Sequence, residues 1–193
     1  MDSVISNLRF VTGCLVMAIS VVVQIILLLF VTPFQLVRIK ACNYWGHVVG
    51  PLMMKVTGSP INWVGKEKLS SASPAIYVSN HTSTVDIFLG IWIAPVGTVG
   101  VAKKEIVYVP FFGQLYWLSG HLRLDRSNRE RAIESMRALA ETVANNRLSI
   151  YIWPEGTRSR DGRLMKFKKG AFHLALQTKL PIILKGVLTK RAA

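Results

Sequence analysis

The feature that most constrains this chain is a long uncharged stretch near its N-terminus. No charged residue occurs from Phe10 to Val37, whereas about 20 apolar residues suffice for a membrane-spanning helix. A cleaved signal peptide is disfavoured because its apolar region is usually only about 7–15 residues long. The stretch therefore predicts a membrane segment.

The form of that segment stays open at this level. Pro33 can break a helix, and an amphipathic piece follows it, so a single spanning helix and a half-embedded helical hairpin both fit. Arg38 and Lys40 come soon after the apolar run, which favours a cytoplasmic position for the remainder of the chain. We predict an anchor over residues 1–60 and a folded domain over residues 61–193.

The charge balance indicates anionic partners. The formal net charge is +14, which suits nucleic acid, lipid headgroups or phosphorylated substrates. The membrane segment favours lipid and phosphate, and no recognisable nucleic-acid-binding motif is present. Cys14 and Cys42 are the only cysteines, so neither a disulfide framework nor a cysteine metal cluster is expected, and a reducing compartment fits.

Strand-like and helix-like patterns alternate after the anchor, which predicts an α/β domain. One helix is expected from Ser127 to about Asn145, with Ser127 and Glu130 as a capping box, and another from near Thr84. The strand candidates are residues 61–65, 75–80, 98–103, 121–125, 148–154 and 181–187.

The segment "NHTSTVD" (80–86) places a histidine and an aspartate around a predicted turn. In a regular helix, residues five apart differ by about 140° around the axis, so only a turn can bring His81 and Asp86 together. Such a pair suits a general base, because the carboxylate fixes the imidazole tautomer. The alternative is that Asp86 merely caps a helix with Ser83 and that His81 is an ordinary turn histidine.

A phosphate site is predicted in the segment "YIWPEGTRS" (151–159), which begins as a strand and breaks at Pro154. The turn at Gly156 exposes backbone N–H groups, while Thr157 and Arg158 add a hydroxyl and a guanidinium. Ionised Glu155 cannot bind phosphate directly and is expected to orient an arginine or a main-chain N–H. Arg126, at the end of another strand, is a candidate functional charge. The basic residues that follow, up to Lys169, fit either a surface hairpin or contact with anionic lipid or a carrier.

Four sequence blocks follow one another along the chain: "NHTSTVD", "PFFGQLYWLSGHLRLDR", "WPEGTRS" and "FKKGAFHLALQTKLPI". Together they resemble the glycerolipid acyltransferase superfamily, and within it the lysophosphatidic acid acyltransferases, over about residues 75–187. The middle block is especially similar to the bacterial enzymes. The fourth block departs from the family at Leu184, which is followed by Lys185.

The resemblance implies a glycerolipid-acyltransferase-like mixed sheet flanked by helices, in a domain shortened at its C-terminus. It implies that His81 is the general base for the sn-2 hydroxyl of lysophosphatidic acid and that Asp86 orients it. The acyl donor would be acyl-CoA or acyl carrier protein, with no metal or organic cofactor and no nucleic-acid partner. The residues implied in phosphate binding are Lys103, Arg126, Glu155, Gly156, Thr157 and Arg158.

Two alternatives stay open. The acceptor could be another glycerol-based molecule, such as glycerol 3-phosphate or another lysophospholipid. A non-catalytic protein that binds membrane lipid could also keep this fold. The expected location is a membrane, with the domain facing the cytoplasm, and a bacterial inner membrane fits the resemblance best.

Overall fold

The computed structural model describes residues 2–59, 61, 62, 64, 74–83, 86–159, 161 and 163–186. A short 3₁₀ helix, Lys104–Tyr108, follows the second strand. The other elements, in chain order, are α1 (Asp2–Leu29), α2 (Gln35–Val56), β1 (Ile76–Ser79), α3 (Asp86–Ile93), β2 (Thr98–Lys103), α4 (Phe112–Leu118), β3 (Leu122–Leu124), α5 (Arg129–Asn146), β4 (Ser149–Ile152), α6 (Gly170–Thr178) and β5 (Ile182–Lys185).

The five strands form one sheet in the order β3-β2-β4-β1-β5. Every described pairing is parallel; for example, Tyr77 of β1 lies opposite Tyr151 of β4 and Ile183 of β5. Because parallel strands need long crossover connections, the α/β alternation of the sequence follows from this topology. All carboxyl ends therefore meet at one edge of the sheet, which is where open α/β sheets bind ligands.

The sheet is buried between helices on its two faces. Alternate side chains of β1, Ile76 and Val78, join the core with Leu139 and Val143 of α5 and Leu174 of α6. The intervening Tyr77 packs on the other face with Ala94 and Tyr151. Since strand side chains alternate between faces, two-sided burial explains why β1 and β4 read as continuous apolar runs.

The N-terminal segment is a helical hairpin whose turn contains Pro33. Residues Val4–Leu29 of α1 are long and apolar enough to cross a membrane, and most of this stretch is exposed. Leucine, valine and isoleucine side chains that would be unfavourable in water cover its surface. The predicted apolar segment, residues 10–37, is thus a helical hairpin made of the end of α1, a turn and the start of α2. Pro33 suits the turn because proline has no N–H to donate in a helix.

The second helix of the hairpin is joined to the domain. Two glycines of α2 lie directly against α3: a Cβ on Gly46 would be 2.7 Å from the carbonyl oxygen of Ile91, and one on Gly50 would be 2.5 Å from the Cβ of Trp92. The buried Asn43 side chain donates to the Thr98 carbonyl and accepts from the Gly97 and Thr98 N–H groups. The anchor hairpin and the start of β2 are therefore held in one arrangement.

Comparison with the sequence-based expectations confirms the α/β class and five of the predicted strands. The described pairs are all parallel, where a mixed sheet was expected. Of the sixth candidate, 61–65, the described residues Ile61, Asn62 and Val64 are not in a strand. The predicted cap of α5 is wrong by one residue: Asn128 accepts from Arg131 N–H, while the Ser127 hydroxyl donates to Asp125. The predicted start near Thr84 lies outside the described residues, and α3 is described from Asp86. The division at residue 60 stays a prediction.

Candidate active site

The turn after β1 brings His81 and Asp86 into contact. Nδ1 of His81 lies 3.2 Å from Oδ2 of Asp86, although five residues separate them in the chain. The two side chains are 13% and 4% exposed, respectively. The predicted turn geometry is therefore present. Because Nδ1 faces the carboxylate, the other ring nitrogen, Nε2, is oriented away from Asp86 and is the one that can accept a proton.

Asp86 also begins helix α3. Its Oδ2 accepts from the backbone N–H groups of Thr82, at 2.6 Å, and Ser83, at 2.7 Å. Burial acts to raise the pKa of Asp86, but the hydrogen bonds from His81, Ser83 and Thr82 outweigh it, so the pKa is lowered. One carboxylate therefore both caps the turn and contacts the imidazole, and the general-base role of the pair stays a prediction.

Glu155 connects the histidine turn to the loop after β4. Its side chain is buried; Oε1 accepts from the His81 N–H at 3.0 Å, and Oε2 accepts from the Met165 N–H at 3.3 Å. The Ser159 N–H in turn donates to the His81 carbonyl at 2.8 Å. Glu155 thus orients main-chain N–H groups, as expected for a carboxylate that would repel a phosphate.

Two cations converge on the glycine turn beside this loop. Arg126, which follows β3, donates from Nη1 to the Gly156 carbonyl. A Cβ placed on Gly156, whose φ is +75°, would lie 2.9 Å from Arg126 Nη1 and 3.1 Å from Lys168 Nζ. Burial lowers the pKa of Arg126, which means that its charge is partly desolvated and available to strengthen contact with an anion. The glycine leaves room for both cations.

The other predicted phosphate residues are less tightly placed. Thr157 and Arg158 are exposed on the same loop. Lys103 is exposed at the carboxyl end of β2, on the same edge of the sheet, but no described hydrogen bond or ion pair joins it to the described loop residues. Its neighbour Lys104 instead pairs with Asp125 at 2.9 Å. The structure therefore brings Arg126 and Gly156 together and shows no described contact of Lys103 with them.

A cavity of about 110 Å³ lies behind the histidine. Trp153, the residue after β4, stacks on the His81 ring with centroids 4.8 Å apart and planes 24° apart, and it also lines the cavity. The walls are mostly apolar and come from α2, α3, β2, α4 and β4; they include Cys42, Gly90, Ala102, Leu115, Tyr151 and Trp153. The cavity extends from Trp153 to Leu115 of α4, which together with Leu118 packs against Val21 and Leu28 of the anchor.

Sequence reasoning missed two of these neighbours. No local pattern distinguishes Lys168 from Lys166 or Lys169, and an apolar residue at position 153 fits the end of the strand whether or not it contacts the histidine. The departure at the fourth block has a structural role: Lys185 Nζ donates to the Ile93 carbonyl at 3.0 Å, at the C-terminus of α3, and lies 4.0 Å from the centroid of the Tyr77 ring. Burial lowers the pKa of Lys185 to about 8.

The model of the acyltransferase family matches residues 60–184, a span that contains the histidine turn, Arg126 and the glycine loop. This chain belongs to the acyltransferase family.

Particular relatives carry a more specific name. The chain is 47% identical over 180 residues to a 1-acyl-sn-glycerol-3-phosphate acyltransferase of Cocos nucifera, covering 93% of this chain and 58% of that protein. It is 47% identical over 174 residues to one of Limnanthes douglasii, covering 90% and 61%. One of Escherichia coli is 40% identical over 139 residues, covering 72% and 56%. The chain thus spans about 60% of the length of the two plant relatives.

A solved structure has the same fold. The 1-acyl-sn-glycerophosphate acyltransferase of Thermotoga maritima superposes with a TM-score of 0.73, at 21% sequence identity, over 95% of this chain and 75% of that one. At this identity the likeness concerns the fold, which includes the helical N-terminal part as well as the sheet.

Proposed function

We propose that this chain is an enzyme that transfers a fatty acyl group from an acyl thioester to the sn-2 hydroxyl of lysophosphatidic acid, giving phosphatidic acid. The observation that carries this proposal is the His81–Asp86 contact at the carboxyl edge of the sheet, beside the cationic turn at Gly156. The relatives' names support the same reaction.

The proposed chemistry follows from the geometry. Asp86 holds Nδ1 of His81, so Nε2 accepts the proton of the substrate hydroxyl as its oxygen attacks the thioester carbon. Arg126 and Lys168 bind the phosphate and thereby place the hydroxyl at His81, with Thr157 and Arg158 on the solvent side. The Gly156 N–H is not a donor to the phosphate, because it donates to the Trp153 carbonyl at 3.1 Å. Lys103 completes the anion site from β2. The reaction needs no metal or organic cofactor, because a thioester is already an activated acyl group.

The apolar surfaces suit substrates that carry fatty chains. The cavity behind His81 takes the start of an acyl chain in walls that exclude water. Helix α1 keeps the site at a bilayer, so that the tails of acceptor and product stay out of water at about 0.8 kcal/mol per buried CH₂. Arg38 and Lys40 favour a cytoplasmic position for the site. The bacterial inner membrane stays a prediction, and the relatives include plant and bacterial proteins.

The test is acceptor-dependent thiol release by the purified chain in detergent micelles, with acyl-CoA and acyl carrier protein compared as donors. We expect release with lysophosphatidic acid to exceed release with glycerol 3-phosphate or other lysophospholipids. His81→Ala should abolish it, while His173→Ala, at an exposed position of α6, should not.

The outcomes separate the alternatives. Faster release with a different acceptor would refute the assigned substrate while keeping the acyltransferase reaction. Lysophosphatidic acid binding without any thiol release would instead favour the non-catalytic lipid-binding alternative. Activity retained in His81→Ala would show that the base is elsewhere.

A further inference from the structure

The segment between β2 and β3 exposes apolar side chains with no charge among them. No charged residue occurs from Ile106 to Gly120, a stretch that contains the end of the 3₁₀ helix and all of α4. Its large exposed apolar residues are Tyr108 (81%), Val109 (45%), Phe111 (53%) and Trp117 (60%). We call these four residues the α4 surface. An exposed apolar patch of this kind is typical of contact with a membrane or another apolar partner.

The backbone holds Phe111 in a strained conformation at this surface. Its φ is 62° and its ψ is −59°, and the Phe112 N–H donates to the Pro110 carbonyl at 2.7 Å. These values define the rare and strained form of the γ-turn. In water, an exposed phenylalanine ring gains no burial energy that would offset this strain. An apolar phase around the ring supplies that energy.

Another side of α4 is attached to the membrane helix. Leu115 and Leu118 of α4 are buried in one cluster with Val21 and Leu28 of α1. Those two residues of α1 lie within Val4–Leu29, the part of the helix that is long and apolar enough to cross a membrane. Because α4 packs beside them, it lies at the same depth as the C-terminal third of α1. This holds whether α1 spans the bilayer or is half-embedded.

The outward side of α4 adjoins the side that packs on α1. Consecutive residues of a helix are about 100° apart around its axis. Phe112 and Tyr116 line the cavity and lie together on one side of α4. Gln114 and Trp117 lie on the opposite side, where both are exposed, and Leu118 lies next to Gln114 on the side toward α1. Lipid that surrounds the exposed side of α1 therefore also reaches Trp117.

We propose that the α4 surface is a second lipid-contact surface of this chain, which embeds in the bilayer beside α1; this inference rests on the membrane anchoring in the proposed function and not on the acyl transfer. Tyrosine and tryptophan favour the boundary between headgroups and hydrocarbon, which suits Tyr108 and Trp117. Valine and phenylalanine favour the hydrocarbon itself, which suits Val109 and Phe111. Helix α4 then forms a layer between the cavity and the lipid.

Site-specific fluorescence in a bilayer tests this placement. Single cysteines carry a nitrobenzoxadiazole label in the full chain, reconstituted in nanodiscs of phosphatidylcholine and phosphatidylglycerol. Phe111→Cys and Trp117→Cys probe the α4 surface. Val23→Cys, at a position 51% exposed on α1, is the positive control, and Leu176→Cys, at an apolar position 78% exposed on α6, is the matched negative control. All four carry Cys14→Ser, which removes the exposed native cysteine.

Two quenchers distinguish lipid from water. Lipid with a doxyl group on its acyl chain should quench the labels at positions 23, 111 and 117 by about twofold or more, because these side chains lie within the acyl region. Iodide in the aqueous phase should quench only the label at position 176. The emission that is present in the parent and absent in Trp117→Phe should also be quenched by brominated lipid. This second measurement uses the native side chain, so it remains informative if a cysteine variant folds poorly.

The contrary results separate the possible errors. Labels at positions 111 and 117 that iodide quenches and doxyl lipid does not would overturn the proposal, as would equal doxyl quenching at position 176. Protection of both labels from both quenchers would also overturn it and would assign the surface to a protein contact, such as a second copy of the chain. Lipid quenching at position 23 alone would refute only the α4 surface. Its absence at position 23 would refute the membrane anchoring as well.

Discussion

Asp86→Asn is the change that tests the site most directly, because one carboxylate oxygen both caps the turn and contacts His81. Oδ2 accepts from Thr82 N–H at 2.6 Å, Ser83 N–H at 2.7 Å and His81 Nδ1 at 3.2 Å. The asparagine side chain has almost the same shape and keeps one acceptor oxygen. It removes the negative charge without opening a cavity.

The expected cost follows from those three bonds. A hydrogen bond to a charged group contributes about 1.5–3 kcal/mol, whereas a neutral one contributes about 0.5–1.5 kcal/mol. Losing the charge should therefore lower the free energy of unfolding by about 1 kcal/mol per bond, or about 3 kcal/mol in total. For a chain of this size, this corresponds to a fall in Tm of about 6–12 °C.

The effect on turnover should be larger than the effect on stability suggests. An amide cannot stabilise the imidazolium that forms when His81 takes a proton, so kcat should fall by about 10²- to 10⁴-fold at a temperature where the variant is still folded. Circular dichroism melting and thiol release on the same detergent preparation measure the two effects. Glu141→Gln, in the exposed Arg137–Glu141 pair, is the matched control and should change neither.

The pH dependence of stability gives a second test of Asp86. The folded-state pKa of Asp86 is lowered below its ordinary value of 3.8, so its stabilising contribution is present above that value and is lost as the pH falls through the lower folded-state pKa. The Tm difference between parent and variant should be constant from pH 7 to about pH 5 and should narrow at lower pH. A lower Tm with unchanged kcat would refute the reasoning, because Asp86 would then be a helix cap alone.

Three further changes test the packing around the site. Gly156→Ala should raise the KM for lysophosphatidic acid at least tenfold, or about 1.4 kcal/mol in binding, because a Cβ would displace Arg126 and Lys168. The control is Gly186→Ala, where a Cβ meets nothing within 4 Å, and it should leave the KM unchanged. Gly50→Ala should destabilise the chain by about 1–3 kcal/mol and lower kcat by pushing α2 from α3, unlike Gly13→Ala, whose Cβ would make ordinary contacts. Equal melting curves for Gly50→Ala and Gly13→Ala would refute the close packing of α2 against α3. Burial lowers the pKa of Lys185 to about 8, so above that pH the unfolded chain binds more protons than the folded chain, and the Tm should rise between pH 8 and 10. Lys185→Met should weaken this rise. An identical rise in the parent and in Lys185→Met would contradict the reasoning.

Much of this organisation could be predicted from local patterns. The uncharged run over residues 10–37 indicates an apolar helix, and short apolar segments separated by helical patterns indicate an α/β sheet. Each of these patterns depends on neighbours a few residues apart, because side chains repeat every 3.6 residues in a helix and every two residues in a strand. The contact of His81 with Asp86 was predictable for the same reason, since a turn over so short a segment leaves few arrangements.

Distances between distant segments belong to the tertiary structure. Arg126 and Lys168 meet at Gly156 because the loops after β3 and β4 share the carboxyl edge of the sheet, and this depends on the order β3-β2-β4-β1-β5. No local pattern separates Lys168 from its basic neighbours or shows that Trp153 covers the histidine. The residue types that carry the chemistry are therefore determined by the sequence, whereas their convergence is decided by strand order and by the packing of α2 and α3. Strand order depends on contacts between segments far apart in the chain, which no local pattern records.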